Sequence, residues 1–441
     1  MNSATISWSG LSLICAVILS CAMTTGRANA QSYSVTHAFA GGSDGENPFG
    51  GLLEDSAGNF YGTTTSGGGA GCGGSGCGTV FRIASDGPES ILYAFRGGTD
   101  GAAPWSSLVE DANGNLYGTT TSGGQTRPCK HDKQSGGCGT VFKLAPDGTE
   151  TVLYAFTGGS DGGAPAFGSL LLDESGNLYG TTQSGGTAKC GAPKSGCGVV
   201  FELKPDGSEF VLHAFKGGKD GYSPEGSVIT DGAGNLYGTT ALGGTVKNAC
   251  NDGCGTVYEI AAGGKFVVLH RFVGSDGANP EAGLIMDTAG NLFGTTNSGG
   301  PNAGACGIPQ GCGTVFRITP NGEETTVYAF QGGNDGIGPA GVLVQDSAGN
   351  LYGTTVDGGG QEACNGYGCG TIFEISAGNT ETVLEVFPAG AGGQTPRGGV
   401  TLDASGNLFG TTSLGGDAGC NIQGCGIVFE LSNGDAQRRA R

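Results

Sequence analysis

The residues best suited to chemistry are cysteines, and they come in close pairs: Cys72/Cys77, Cys129/Cys138, Cys190/Cys197, Cys250/Cys254, Cys306/Cys312, Cys364/Cys369 and Cys420/Cys425. Between partners lie 4, 8, 6, 3, 5, 4 and 4 residues. A tetrahedral metal site needs its two thiolates at a narrow spacing with two further ligands nearby. A disulfide needs only that the flanking chain bring two α-carbons within reach. The variable spacing therefore predicts seven local disulfides, with no metal and no cofactor. All seven fall in glycine-rich loops between apolar runs. The remaining two cysteines, Cys15 and Cys21, fall in an apolar leader.

The other candidate groups are sparse. His37, His213 and His270 occupy the place held elsewhere by Tyr93, Tyr154 and Tyr328, which reads as packing and not catalysis. His131, beside Arg127, Lys130, Asp132 and Lys133, reads as an exposed loop residue. A segment of the form Gly-Gly-x-Asp-Gly-x-x-Pro recurs with Asp44, Asp100, Asp161, Asp220, Asp276 and Asp335, and Gly392 takes the seventh place. Such aspartates could hold calcium through oxygen ligands. The alternative, favoured by the surrounding glycines, is a turn in which the carboxylate accepts backbone N–H groups. The residue after the linker proline changes type from one copy to the next: Phe49, Trp105, Ala166, Glu225, Glu281, Ala340 and Arg397. Phe49, Trp105, Phe167, Tyr222 and Arg397 are the candidate contacts for a ligand, and decorative surface variation is the competing reading.

All of these residues are positioned by one repeated unit. Asp55-Ser56-Ala57-Gly58-Asn59-Phe60-Tyr61-Gly62-Thr63-Thr64 has close copies at Asn115, Asn177, Asn235, Asn291, Asn350 and Asn407, at steps of 56, 62, 58, 56, 59 and 57 residues. An unbroken period of this length marks an array of like units. In the third copy, Leu170–Asp173 reads as a short strand a, and Glu174 to Asn177 as a turn. Leu178–Thr182 follows as strand b, Val199–Leu203 as strand c, and Phe210–Phe215 as strand d beyond a Pro-Asp-Gly turn. Four short antiparallel strands per unit is the anatomy of a propeller blade. Glycine inside every strand b, from Gly62 to Gly410, would weaken a strand unless a neighbouring aromatic or backbone must approach closely.

The last copy has strands a, b and c but stops before a d, while Tyr33 to Phe39 match strand d of the others. Pairing that first strand into the last unit removes two exposed sheet edges. The fold class expected is all-β: a seven-bladed β-propeller of four-stranded blades, closed by the N-terminal strand joining the last blade. A β-helix is the competing architecture. In such a propeller the d-to-a linkers and b-to-c loops emerge on one face, so a binding surface belongs there. Strand a residues expected to face the axis are small or aliphatic: Gly51, Ser107, Ser169, Ser227, Gly283, Val342 and Gly399. No cluster of histidine, arginine and carboxylate stands out, which disfavours an enzyme acting at the axis.

A formal charge of −19 repels phosphate backbones and anionic lipid, which excludes nucleic acid and membrane surfaces as expected partners. With 94 glycines and 16 prolines, low-complexity disorder is the bland reading. Fixed glycine places between apolar runs oppose it. Residues 1–30 read as an export signal with an apolar run from Leu11 and a small-x-small end at Ala28-Asn29-Ala30. The alternative is a lipoprotein signal acylated at Cys21. No other segment is long and apolar enough to span a bilayer. Residues 31–434 read as one seven-repeat domain, and 435–441 as a frayed basic tail. The expected location is secreted or periplasmic, and the expected partner of a monomeric chain is an extracellular glycan or protein.

The motifs Gly-Asn-Leu-Tyr-Gly-Thr-Thr, Gly-Cys-Gly-Thr-Val-Phe and Leu-Tyr-Ala-Phe-x-Gly-Gly-x-Asp-Gly resemble the GloVer-type tandem repeat family of exported bacterial proteins. The resemblance covers nearly the whole chain after the leader. It implies an extracellular repeat protein, often tethered by a C-terminal anchor, and implies no activity. This chain ends instead in the short basic tail. Mass spectrometry of the exported protein should show a mass that rises by two hydrogens per cysteine pair on reduction; seven pairs of free thiols before reduction would refute the disulfide reading.

Overall fold

The computed structural model describes residues 31–433 except 86, 126–128, 130–135, 166, 192–194, 245–249, 303, 305, 307–310, 361–363, 365, 417–418 and 421–422. The expected leader, His131 with its charged neighbours, Ala166 and the basic tail lie outside the described residues. Seven antiparallel sheets follow one another as the blades of a propeller. In blade 1, strand a is Leu53–Glu54, b is Phe60–Thr64, c is Thr79–Ile83 and d is Glu89–Ala94. Blade 7 takes a, b and c from Val400–Leu402, Leu408–Thr412 and Ile427–Ser432, and its outermost strand is Ser32–Ala38 from the other end of the chain. That strand runs antiparallel to c, with Tyr33 opposite Leu431 and Ala38 opposite Ile427. Tyr33 closes the seam further by donating its hydroxyl to the Gly392 carbonyl at 2.7 Å and packing on Phe387 and Phe429.

One packing unit accounts for the spacing of the repeat. The aromatic at the centre of strand c lies over the glycine of strand b in its own blade. A Cβ on Gly118 would come within 2.7 Å of the Phe142 ring, and one on Gly238 within 2.4 Å of the Tyr258 hydroxyl. The phenylalanine just after strand d then meets the edge of the next blade's c aromatic. The centroid distances are 5.1 Å for Phe95/Phe142, 5.2 Å for Phe156/Phe201, 5.3 Å for Phe215/Tyr258 and 5.0 Å for Phe272/Phe316. Phe330/Phe373 and Phe387/Phe429 repeat this at 5.1 Å. Phe39, from the N-terminal strand, makes the same contact with Phe81 of blade 1 at 5.1 Å and so completes the circle. These rings are fully or almost fully buried, and each contributes on the order of 2–3 kcal/mol of apolar burial. The edge-on geometry adds about 1 kcal/mol.

At the axis, strands a are shorter than the sequence predicts: Leu171–Leu172 in blade 3 instead of four residues. The reason is crowding. A Cβ on Gly50 would lie 2.8 Å from the Ser106 carbonyl oxygen, and one on Gly398 2.6 Å from Gly50. Small residues there let neighbouring backbones touch. Hydroxyls of strand b bridge the blades at the same depth: Thr63 donates to the Ser106 carbonyl, Thr181 to Gly226, Thr239 to Ala282 and Thr411 to Gly50. Blade 6 departs from the pattern with an extra strand, Ile337–Pro339, paired to a lengthened strand b, Leu351–Asp357. The described residues contain no α-helix.

Gly118→Ala should lower stability by about 1–3 kcal/mol in denaturant unfolding, because the added methyl drives into Phe142. Gly263→Ala, where nothing lies within 4 Å, should change it by less than about 0.5 kcal/mol.

Candidate functional site

The linkers that carry the variable residues are held on one face by pairing to the end of strand b, as Glu46 pairs with Ser66 and Ala102 with Ser122. Four of the five sequence-predicted contacts meet where those linkers converge over the axis. Phe49 and Trp105 stack at 4.6 Å, and Phe167 stands edge-on to Trp105 at 5.0 Å. The Arg397 guanidinium lies 5.9 Å from the Phe49 ring. The linkers entering blades 7, 1, 2 and 3 thus contribute a continuous cation-and-aromatic crescent. Phe167 is 37% exposed and adopts φ 54°, a left-handed conformation that is uncommon outside glycine. Tyr222 is not part of this group. It is half-buried beside Asp252 in the blade 4 linker.

The opposite side of the mouth is acidic. Glu225 and Glu281, from blades 4 and 5, are largely buried. Gln183 Nε2 and Ser223 Oγ donate to Glu225 Oε1 at 2.7 and 2.9 Å. Burial pushes the Glu281 carboxyl up to about 7, Glu225 adds to the rise and Arg397 opposes it. Burial also raises Glu225, against its two donors. Asp357, at the end of the lengthened blade 6 strand, is raised by burial and lowered in part by Arg397. A cavity of about 60 Å³ is lined by Phe49, Phe167, Glu281 and Arg397, together with Ser107 and Val342. Among the described residues the ion pairs are three histidine–aspartate contacts, so no ion pair joins Arg397 to the acids it faces. Arg397, Glu225, Glu281 and Asp357 are far apart in sequence and meet only when the ring closes. The signal available was a glutamate directly after the linker proline in two consecutive copies.

The linker aspartates face the seams between blades. Asp100 accepts the Arg96 N–H and the Tyr93 hydroxyl, both at 2.6 Å, and Asp335 accepts the Gln331 N–H at 2.6 Å and the Tyr328 hydroxyl at 2.9 Å. Where histidine replaces that tyrosine it keeps the partner: His213 lies 3.1 Å from Asp220 and His270 2.9 Å from Asp276. A glutamate at the start of the next blade's strand d completes the seam. His37, Asp44 and Glu89, and likewise His270, Asp276 and Glu324, have ligand-type atoms within 4.8 Å of one another. The same place is served by tyrosine at three other seams, so the arrangement is one of hydrogen bonding that histidine can also supply. Two seams depart together from the pattern. Phe266 replaces the glutamate and stacks on His213 at 3.7 Å. Where Gly392 replaces the aspartate, Glu385 and Tyr33 supply the acid and the hydroxyl.

The Asp55-type turns spend their carboxylates on local donors. Asp111 accepts the Asn113 and Asn115 N–H groups, the Asn115 amide and the Tyr117 hydroxyl at 2.8–3.0 Å. Burial pushes that carboxyl up, but the donors outweigh it and hold it at about 2.

All seven cysteine pairs are bonded as the spacing predicts: Cys72–Cys77, Cys129–Cys138, Cys190–Cys197, Cys250–Cys254, Cys306–Cys312, Cys364–Cys369 and Cys420–Cys425, with Cα separations of 4.9–5.7 Å. Their setting is more buried than loop crosslinks require. The second cysteine of every pair is inside the protein: Cys77, Cys138, Cys197, Cys254, Cys312, Cys369 and Cys425 are each 0–2% exposed. The reason lies in the fold, since that cysteine stands two residues before strand c, where the chain has already entered the blade. Each belongs to the same apolar cluster as the phenylalanine that ends strand d of its blade. Cys77 lies with Phe95, Cys138 with Phe156, Cys197 with Phe215 and Cys254 with Phe272. Cys312 lies with Phe330, Cys369 with Phe387 and Cys425 with Phe39. The second sulfur of each bridge is therefore a core atom, while its partner lies nearer the surface, as exposed Cys72 shows. Each bridge also pins its b-to-c loop beside the linker; a Cβ on Gly97 would meet both Cys72 and Cys77 sulfurs at 3.1 Å.

These features define a tandem-repeat, disulfide-pinned seven-bladed β-propeller with a polarised axial mouth. The chain belongs to the Gloeobacter/Verrucomicrobia repeat family, whose model matches residues 22–192, 129–362 and 303–439. Among curated proteins there is no match. Two structures of an extracellular domain from B. thetaiotaomicron are similar in fold. One, from a protein described as a putative one component system, has 10% identity over 89% of this chain and 39% of that chain, with a TM-score of 0.53. The other, described as a hybrid two component system, has 11% identity over 90% and 40%, with a TM-score of 0.54. This chain therefore spans about two fifths of theirs. A gluconolactonase from Xanthomonas campestris aligns at 14% identity over 73% of this chain and 86% of its own, with a TM-score of 0.40, too low to bear on activity. No helix of the described residues is long and apolar enough to cross a membrane.

The seam carboxyls set a pH dependence. Burial, reinforced by the facing aspartate, pushes Glu89, Glu150, Glu209 and Glu381 from 4.5 up to about 7. The folded state therefore holds protons that the unfolded state has lost, so their contribution is complete below 4.5 and disappears as pH rises through 7. The turn aspartates act oppositely: their contribution is present above 3.8 and is lost as pH falls through the lowered folded value. Thermal unfolding scanned from about pH 3 to 9 should give a maximum on the acid side, near pH 4–5. Glu89→Gln should make the alkaline decline shallower. A maximum above about pH 7 would contradict this assignment.

Proposed function

We propose that this chain is an extracytoplasmic, non-catalytic binding propeller that takes its ligand across the axial mouth on the linker face. The observation that carries the reading is the run of contacts Arg397, Phe49, Trp105 and Phe167, from four linkers, beside a cavity lined by Phe49, Phe167, Glu281 and Arg397. The scaffold around that mouth repeats itself. The mouth does not, and differences between copies at one structural position are where a ring of like blades acquires specificity. The signal-like leader and the seven disulfides support a site of action outside the reducing cytoplasm. Glycans and proteins remain the partner classes: sugar rings and apolar side chains both pack on aromatic faces, and the rim supplies hydrogen-bonding groups of both signs.

A second reading is a hydrolase or lyase acting at the same mouth. It is favoured by one observation: Glu281, pushed up to about 7, has the acidity of a general acid at neutral pH. Product release from any bound oligosaccharide would decide for it.

Purified protein applied to a glycan and peptide array should bind a restricted set of ligands, and Trp105→Ala should weaken that binding by at least about tenfold. Binding unchanged by both Trp105→Ala and Arg397→Ala would remove the mouth as the site.

A further inference from the structure

The mouth is divided. Blades 7, 1, 2 and 3 present Arg397, Phe49, Trp105 and Phe167, whereas blades 4 and 5 present Glu225 and Glu281, with Asp357 of blade 6 facing Arg397. Taken as formal charges, three carboxylates face one guanidinium, so the ionised rim carries an excess of negative charge. No hydrogen bond from a described residue reaches Glu281, although Glu225 is held by Gln183 and Ser223. A partly buried carboxylate without a hydrogen-bond donor is costly, and a second carboxylate near it adds to the cost. A cation placed between them relieves both penalties. Aromatic faces beside it add attraction for the same charge and cover the apolar body behind it.

Resting on the binding reading above, we propose that the mouth recognises a ligand bearing an ammonium group on a ring-shaped or aliphatic body, with the ammonium held by Glu281, the charge of Glu225 nearby adding to the attraction, and the body packed on Phe167 and Phe49, the two rings that Trp105 holds. Arg397 lies 5.9 Å from the Phe49 ring and lines the same cavity as Glu281. It leaves the acid side as the one place where a second cation is favoured. The acidic charge of the whole chain, −19, steers cations toward it.

A proton linkage follows. Glu281, pushed up to about 7 by burial and by Glu225 and lowered in part by Arg397, must be ionised to hold an ammonium. Binding therefore releases a proton at mildly acid pH, and affinity rises with pH, by up to about tenfold per unit, before levelling off above about pH 8. A neutral ligand would show no such slope.

Isothermal titration of the full chain with cyclohexylamine and with cyclohexanol separates charge from shape. The amine should bind at least about tenfold more tightly, with an affinity that climbs between about pH 5 and 7. Glu281→Gln should abolish both the preference and the slope, and Glu225→Gln should weaken the amine and move the slope to lower pH without removing it. Glucosamine against glucose, and N-acetyl-lysine amide against N-acetyl-norleucine amide, tell an amino sugar from a lysine side chain as the source. Equal affinity for amine and alcohol, or an amine affinity unaffected by Glu281→Gln, would overturn the proposal. If an array ligand that depends on Trp105 proves uncharged, the ammonium assignment falls while the binding site stands; if nothing binds in a Trp105-dependent way, both fall.

Discussion

The structure depends on an edge-on meeting of two buried rings, repeated at every seam. Within a blade, the strand c aromatic can take its place only because strand b offers a glycine beneath it. Between blades, the phenylalanine after strand d can reach that aromatic only because the linker glycines fold the chain back at the outer rim. The interval of 56 to 62 residues between copies is the length of chain needed to run a to d and return to this contact. Phe39 supplies the final contact from the opposite end of the sequence, at the same 5.1 Å as its counterparts. The strand that precedes the seven repeats is therefore the last piece of the ring, and the sheet edges that an open array would expose are paired.

Because the seams carry the stability, the linker face is free to differ from blade to blade. Disulfides and linker turns hold the loops at a fixed height, and small residues bring the inner strands close enough that the rim residues surround a narrow cavity. Identity in the scaffold and diversity at the rim are two sides of one design. The consequence is a mouth whose two halves differ in chemistry: aromatic and cationic from blades 7 to 3, acidic from blades 4 to 6.

Much of this was legible in the sequence. The repeat, the split last unit, the cysteine pairs and the face bearing the variable residues all follow from local patterns in the chain, and local patterns are what a sequence displays directly. The strand b glycines also announced a close approach, and Phe142 over Gly118 is that approach. What was not legible came from contacts between separate segments or copies. The pairing of Cys129 with Cys138 could be read from spacing, but the burial of Cys138 against Phe156 depends on where strand d ends in space. Tyr93, Asp100 and Glu150 form one seam group, but they come from two blades, and only the ring brings Glu150 to Asp100. Two of the histidines read as packing residues, His213 and His270, are hydrogen-bond partners of the linker aspartates for the same reason. Arg397 and Glu281 were visible as odd residues at one repeat position, yet their opposition across the mouth requires closure. Tyr222 shared the exposed-loop signature of the contact residues and lies apart, because its linker turns it toward Asp252.

A closed ring requires the seam between the two chain ends to be equivalent to the internal ones. A double-mutant cycle of Phe39→Leu and Phe81→Leu, compared with Phe156→Leu and Phe201→Leu at an internal seam, measures this by denaturant unfolding. Equivalent seams give the same favourable coupling at both, about 0.5–1.5 kcal/mol. Coupling at the internal seam with none between Phe39 and Phe81 would contradict closure through this contact.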